Sequence, residues 1–204
     1  MRWAVGLALS LGLVAGCAGP GAAPPPATVV SASLRASDLP RGMVVCGLSG
    51  DIDTFLKGAP SNNQYATQLE QDWHALEQEG AQKGYVRVFA KSQADCAHAF
   101  TSSTSTNIPL VAGMTVQFKT AAAAVKAYKQ ADVGAAPIAS LPGSEQGAVT
   151  GLGKNSLTFG DNEGSQSIYF AYWQNVRFLA LVLAVDIGTT PARKAAGNVN
   201  SRIH

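Results

Sequence analysis

Apolar and polar positions alternate along the chain with a period that changes several times, and each change marks a candidate element. Met43, Val44, Val45 and Cys46 form a short apolar run, entered from the turn-forming Ser37-Asp38-Leu39-Pro40 and broken between Gly47 and Gly50. Between residues 61 and 80, Tyr65, Leu69, Trp73 and Leu76 recur at helical spacing with Gln, Glu and Asp opposite them. That stripe predicts an amphipathic helix whose aromatic side chains are core. After Gly84 the period drops to two. Val86, Val88 and Ala90 then face one way and Tyr85, Arg87 and Phe89 the other, as in a strand. Residues 92–100 predict a short helix carrying Cys96, and the Ser/Thr run 101–107 an exposed loop. Met114, Val116 and Phe118 alternate with Thr115, Gln117 and Lys119, which predicts a one-faced strand. Thr120 is placed to cap a following helix through Ala121, Val125 and Tyr128, and Gly134 to end it.

Residues 135–155 are rich in Gly, Pro, Ala and Ser and predict a long loop, a feature that is uncommon in compact domains unless functional or mobile. Beyond it come three strand-like runs at 156–159, 167–173 and 177–185, the last two joined in a hairpin turning near Gln174-Asn175. The last run is apolar at nearly every position, as expected of a strand covered on both faces. Thr190-Pro191 then supplies a cap and a first-turn proline for a terminal helix through Ala192, Ala195, Ala196, Val199 and Ile203. The elements predict an α+β fold, a two-layer sandwich with a mostly antiparallel sheet of five or six strands and about three helices.

The N-terminus follows a different pattern. Arg2 is followed by an apolar run over 3–14, about half the ~20 residues a membrane-crossing helix needs, and then by Val14-Ala15-Gly16-Cys17. This order resembles the signal peptide and lipobox of exported bacterial lipoproteins. The resemblance implies removal of residues 1–16, a diacylglycerol on the Cys17 thiol and a further acyl chain, such as palmitate, on its amine. Two chains suffice for stable anchoring where one is marginal. Residues 17–35, with Pro20 and the run Pro24-Pro25-Pro26, then predict an extended tether. The span 36–204 is left as a single extracytoplasmic domain.

Composition narrows the picture further. With 47% hydrophobic and 14% charged residues, the chain is too apolar for general disorder. Removing Arg2 with the leader lowers the formal net charge from +2 to +1. So weak a charge argues against nucleic acid as a partner. With Cys17 acylated, Cys46 and Cys96 are the remaining cysteines, and an exported, oxidising location predicts a disulfide bond between them. Closing a loop of about 50 residues contributes ~4 kcal/mol in the chain-entropy model.

The segments FKTAAAAVKAY (118–128) and WQNVRFLALVLAVDI (173–187) resemble the extracytoplasmic sensor or ligand-binding domains of actinobacterial lipoproteins and receptor kinases, over the C-terminal half of the chain. The Trp-x-x-Cys pairing of the kinase domains is absent. The resemblance implies a sensing or binding domain, and no cofactor is expected.

Motifs of chemistry are few. Gly153-Lys154 lacks the glycine and hydroxyl residue of a phosphate loop, since Ala148 and Asn155 stand at those positions. Ser49 sits in Gly47-Leu48-Ser49-Gly50-Asp51, with the second glycine one place early for a nucleophile elbow. Glu70, His74 and Glu77 share a helix flank, where a solvated face with local ion pairs is the expected role rather than a metal site. Cys96 and His98 diverge by about 200° on a helix. Asp51 and Asp53 read as a turn in a glycine-bounded loop, not a calcium site.

The expectation is therefore a lipoprotein of the bacterial cell envelope. It is held at the extracytoplasmic face of the cell membrane, or of an outer membrane in a host that has one, and binds a lipid, a glycan or an envelope protein. Catalysis is not expected. The alternative is an envelope hydrolase using Asp51, Asp53 or His98. The expected ligand-binding residues are Leu141 and Leu152 of the 135–154 segment with Tyr169, Tyr172 and Trp173 of the hairpin, the segment acting as a pliant apolar cover.

Overall fold

The computed structural model describes residues 25–60, 64–101, 108–130, 135–162 and 166–204. The leader, Cys17, the first part of the tether, the Ser/Thr loop beyond Thr101 and the helix-ending Gly134 lie outside the described residues.

The α+β class holds. Among the described residues the sheet has eight strands, more than the five or six expected. The strands are β1 (Val44–Val45), β2 (Gly50–Asp51), β3 (Ala81–Ala90), β4 (Leu110–Phe118), β5 (Glu145–Gln146), β6 (Ser156–Asp161), β7 (Ile168–Asn175) and β8 (Phe178–Val185). They run β1-β3-β4-β8-β7-β6-β5, with β2 also pairing β3, and every pairing is antiparallel. The additional strands are the two-residue β1, β2 and β5, too short to show a period in sequence.

Helices cover both faces. On one, α1 (Val29–Ala32) and α7 (Thr189–Ser201) bury Ala32, Ala192, Ala195, Ala196 and Val199 against Phe89, Val111, Tyr169, Trp173 and the even-numbered residues of β8 from Phe178 to Ala184. On the other lie α2 (Ile52–Gly58), α3 (Gln64–Gln78), α4 (Gln93–Thr101), α5 (Ala121–Gln130) and α6 (Ala135–Ala139), over Val86, Val88, Met114, Val116, Phe170, Tyr172 and Leu179. The expected alternation of β3 holds: Val86, Val88 and Ala90 pack in this second core, Tyr85 and Phe89 in the first. The apolar run of β8 is explained by the same arrangement, as a central strand between two cores. For β4 the one-faced reading is corrected, because Thr115 is buried on the side where Val111 joins the first core.

Several elements differ from the expectation. Asp51 and Asp53 are not in a loop. The Asp51 carboxylate accepts the Thr54 backbone N–H at 3.0 Å and so caps α2, with Asp53 in its first turn. Gly84 lets this helix approach the sheet, since a Cβ there would stand 3.0 Å from Ile52 and 3.1 Å from Trp73. Packing begins well before residue 36: Ala27, Val29, Ala32 and Leu34, within the span expected to be tether, are buried. Small apolar residues between prolines look like linker, yet here each fills a place on the sheet. The hairpin turns at Val176-Arg177, because Asn175 pairs with Phe178, and Val176 takes φ +47°, unusual for a β-branched residue. The cap of α7 is Gly188 rather than Thr190, which puts Pro191 third in the helix, where its missing N–H is still harmless.

The segment 135–155 is built rather than structureless. It holds α6, β5 and a 3₁₀ turn over Gly147–Thr150. The buried hydroxyls of Thr150 and Ser156 lie 2.7 Å apart, Ser156 donates to the Gly153 and Gly147 carbonyls, and Thr150 accepts the Leu152 N–H. Buried polar networks satisfied in this way are rigid.

Candidate functional site

The C-terminal end of α5 crosses the sheet above β7, and α6 lies over β6. Alanines at 124 and 127 let α5 sit close to the sheet, both fully buried. This brings Tyr128 onto Tyr172, their rings stacked at 5.1 Å between centroids and 17° between planes. An open cleft of about 350 Å³ adjoins the pair, lined by Tyr128, Lys129, Gln130, Ala135, Ala136, Ala139, Gln146, Leu157 and Tyr172. That volume is at the small end of ligand-binding clefts. Burial pushes the Tyr128 phenol above its ordinary pKa, so the hydroxyl keeps its proton and can donate. Lys129, Gln130 and Gln146 supply a cation and two amides, while Leu157 and the alanines are apolar. Such a surface suits an amphipathic molecule, with a flat or aliphatic part on the tyrosines and polar groups toward the amides and the ammonium.

Of the five residues expected to bind ligand, only Tyr172 lines this cleft. Tyr169 and Trp173 point to the opposite face and are buried there, with Leu152 in the same core. Leu141 is 42% exposed. Alternation along β7 is the reason: odd and even residues of a strand cannot share a face, and the odd ones are covered by the terminal helix together with Leu152. The expected link between the 135–154 segment and the hairpin does occur, on both faces: Leu152 joins the core of Tyr169 and Trp173, while Ala135, Ala136, Ala139 and Gln146 line the cleft with Tyr172. Tyr128, Lys129, Gln130 and Leu157 were not expected. The signal for them was the polar Lys129-Gln130 directly after an aromatic at the end of an alanine-rich helix.

On the other face the Tyr169 hydroxyl and the Trp173 indole N–H are buried without hydrogen-bond partners among the described residues. Burial raises the Tyr169 pKa to about 12, with the Arg193 cation opposing and the Glu145 carboxylate adding to the shift. Arg193 sits 5.9 Å from the Tyr169 ring centroid and pairs with Glu145 at 2.9 Å. The pair joins α7 to β5.

The residues weighed for hydrolysis do not meet at the cleft. Asp51 is occupied with Thr54, whose hydroxyl and N–H hold its carboxyl below the ordinary range. His98 is exposed on α4, and neither it nor Asp53 lines the cleft. His74 pairs with Glu77 at 3.1 Å on an exposed flank. Among the described residues no three His, Cys, Asp or Glu side chains are grouped to hold a metal, and no helix is long and apolar enough to cross a membrane. The two cysteines are joined, Cys46 after β1 to Cys96 in α4, with their Cα atoms 5.5 Å apart.

Fold and cleft together define the class: an antiparallel α+β domain, covered by helices on both faces, with a small tyrosine-floored cleft. No family model and no curated protein matches the chain. Among solved structures it is similar to the extracellular domain of PknH from Mycobacterium tuberculosis, at 11% identity and a TM-score of 0.43, over 61% of this chain and 66% of that one. The chain therefore spans just under two thirds of that domain.

Proposed function

We propose that this is a lipid-anchored protein of the bacterial cell envelope, whose domain binds a small amphipathic envelope molecule, a lipid or a glycan, in the Tyr128–Tyr172 cleft without transforming it. The observation that carries the reading is the cleft itself, an apolar floor of stacked tyrosines with a rim of Lys129, Gln130 and Gln146. Anchoring through Cys17 is supported by the order of residues in Arg2, the apolar run and Val14-Ala15-Gly16-Cys17. The Cys46–Cys96 bond suits an exported, oxidising location.

Two substitutions separate the parts of this reading. Cys17→Ser should release the protein from the membrane fraction or leave it as an unprocessed precursor. A variant that is processed and membrane-bound like the parent contradicts anchoring at Cys17. Ala139→Trp should fill the cleft and leave the fold in place, so that solvent extraction of the purified variant yields at most about a tenth of the small molecules released from the parent, a loss of roughly 1.4 kcal/mol in affinity. Equal yields from two proteins of equal melting temperature contradict binding at the cleft.

A further inference from the structure

The two helical layers carry opposite charge. The layer formed by residues 25–43 and α7 brings Arg35, Arg41, Arg193, Lys194 and Arg202 to one side of the sheet, and Arg87 of β3 projects to that same side between Tyr85 and Phe89. The carboxylates that answer them are Asp38, paired with Arg202, and Glu145, paired with Arg193. Arg35, Arg41 and Lys194 are exposed, and the sequence of α7 contains no acidic residue at all. On the opposite side α2, α3 and α4 carry Asp53, Glu70, Asp72, Glu77 and Asp95 against Lys57. There α5 adds Lys129 and a Lys126 that is paired with Glu79.

The chain enters the packed domain on the basic side. Ala27 is buried there, in the core under α1 and α7, and Cys17 precedes it by ten residues. Ten residues reach at most roughly 35 Å even when fully extended, whereas a domain of this size is roughly 40 Å across. A tether shorter than the body it holds leaves the side where it attaches turned toward the anchor. Two exposed valines, Val30 at 49% and Val45 at 46%, lie on that side, since Val45 pairs with Phe89 of the same core.

We infer that the α1–α7 face rests on an anionic lipid surface, with the exposed Arg35, Arg41 and Lys194 near the lipid phosphates. This rests on the anchoring proposed above. It leaves the Tyr128–Tyr172 cleft, on the other face, directed away from the bilayer. Attraction to anionic lipid falls off within a Debye length, about 10 Å at moderate salt, so the face must lie close to the surface for the cations to act.

The test is amide hydrogen exchange of the full lipidated protein on phosphatidylcholine vesicles with and without about a third phosphatidylglycerol. Anionic lipid should slow exchange in residues 29–45 and 189–201 by roughly fivefold, the occupancy change that one cation at such a surface supplies, and leave α3 unchanged. The triple variant Arg35→Glu, Arg41→Glu, Lys194→Glu, all at exposed positions, should lose the difference. Equal exchange on both vesicles, or protection of α3 instead, overturns the proposal. So does equal protection by soluble polyglutamate, which would assign the face to acidic polymers. Flotation on the neutral vesicles reports the anchor separately: protein that floats only with anionic lipid contradicts anchoring and keeps the face, and protein that floats on both without the difference in exchange keeps the anchor alone.

Discussion

Asp38 and Arg202 show how much a single contact can hold. The Arg202 guanidinium donates from Nη1 and Nη2 to the two oxygens of Asp38, at 3.0 and 2.7 Å, and Nη2 also donates to the Ser33 carbonyl at 2.9 Å. Asp38 further accepts the Arg35 N–H at 2.8 Å, and its side chain is 4% exposed. A buried charge stripped of its partner costs about 3 kcal/mol or more. Arg202→Ala should therefore lower unfolding stability by about 3 kcal/mol in urea melts, and a loss within 0.5 kcal/mol would show the pair to be inessential. Nothing in the sequence foretold this pair, because its members are 164 residues apart and Asp38 sits in what reads as a plain turn. Tyr169 is the converse case. Its hydroxyl is buried and has no hydrogen-bond partner among the described residues, so Tyr169→Phe should raise stability by about 1 kcal/mol. Its pKa is raised to about 12 in the folded state against 10.0 for the free phenol. The folded state thus holds the proton more tightly, and the contribution is whole below pH 10 and lost as pH climbs toward 12. The phenylalanine variant should show a flatter alkaline limb in its stability profile; parallel profiles for the two proteins would contradict the assignment.

Elements with a strong period were legible, and elements defined by one or two contacts were not. The amphipathic stripe through Leu69, Trp73 and Leu76, the alternation in β3 and the apolar run of β8 each matched the structure, because several residues repeat the same signal. Residues 52–58 form a helix whose apolar positions Ile52 and Phe55 give too few repeats to register, and the segment 135–155 folds through hydroxyl and carbonyl contacts that carry no hydrophobic period. The candidate site was half legible for the same reason. Tyr172 was expected, but assigning Tyr169 and Trp173 to the same site ignored the alternation of the strand that bears them. The disulfide has its effect at this scale, since it fastens the two-residue β1 to α4. Besides it, β1 is held by its pairing with β3 and by the Gln93 amide, which donates to the Val45 carbonyl at 2.9 Å. Replacing Cys46 and Cys96 together by serine should cost up to ~4 kcal/mol and raise amide exchange in β1 and α4 before the centre of the sheet. Uniform acceleration across all strands would argue that the bond holds the whole domain rather than its edge.

For the whole molecule, the sheet separates two surfaces of different chemical character. One carries α7, residues 25–43 and the exposed Arg35, Arg41 and Lys194, and the other carries the acidic helices and the tyrosine cleft. The α+β class was legible from the order of strand-like and helix-like runs, and β8 already read as a strand covered on both faces. The helices α1, α2 and α6, which complete the two covering layers, were not legible, because α2 and α6 are short and the first apolar residues of α1 look like linker. The division fits a body held against a membrane by one side and open to envelope molecules on the other. The most direct test of that account is the intact native mass of the protein extracted from its own envelope. It predicts a chain beginning at Cys17, heavier by a diacylglyceryl group and acyl chain, with a co-purifying small molecule that is absent from Ala139→Trp. A mass that still includes residues 1–16, or a mature chain that carries no bound molecule, would contradict it.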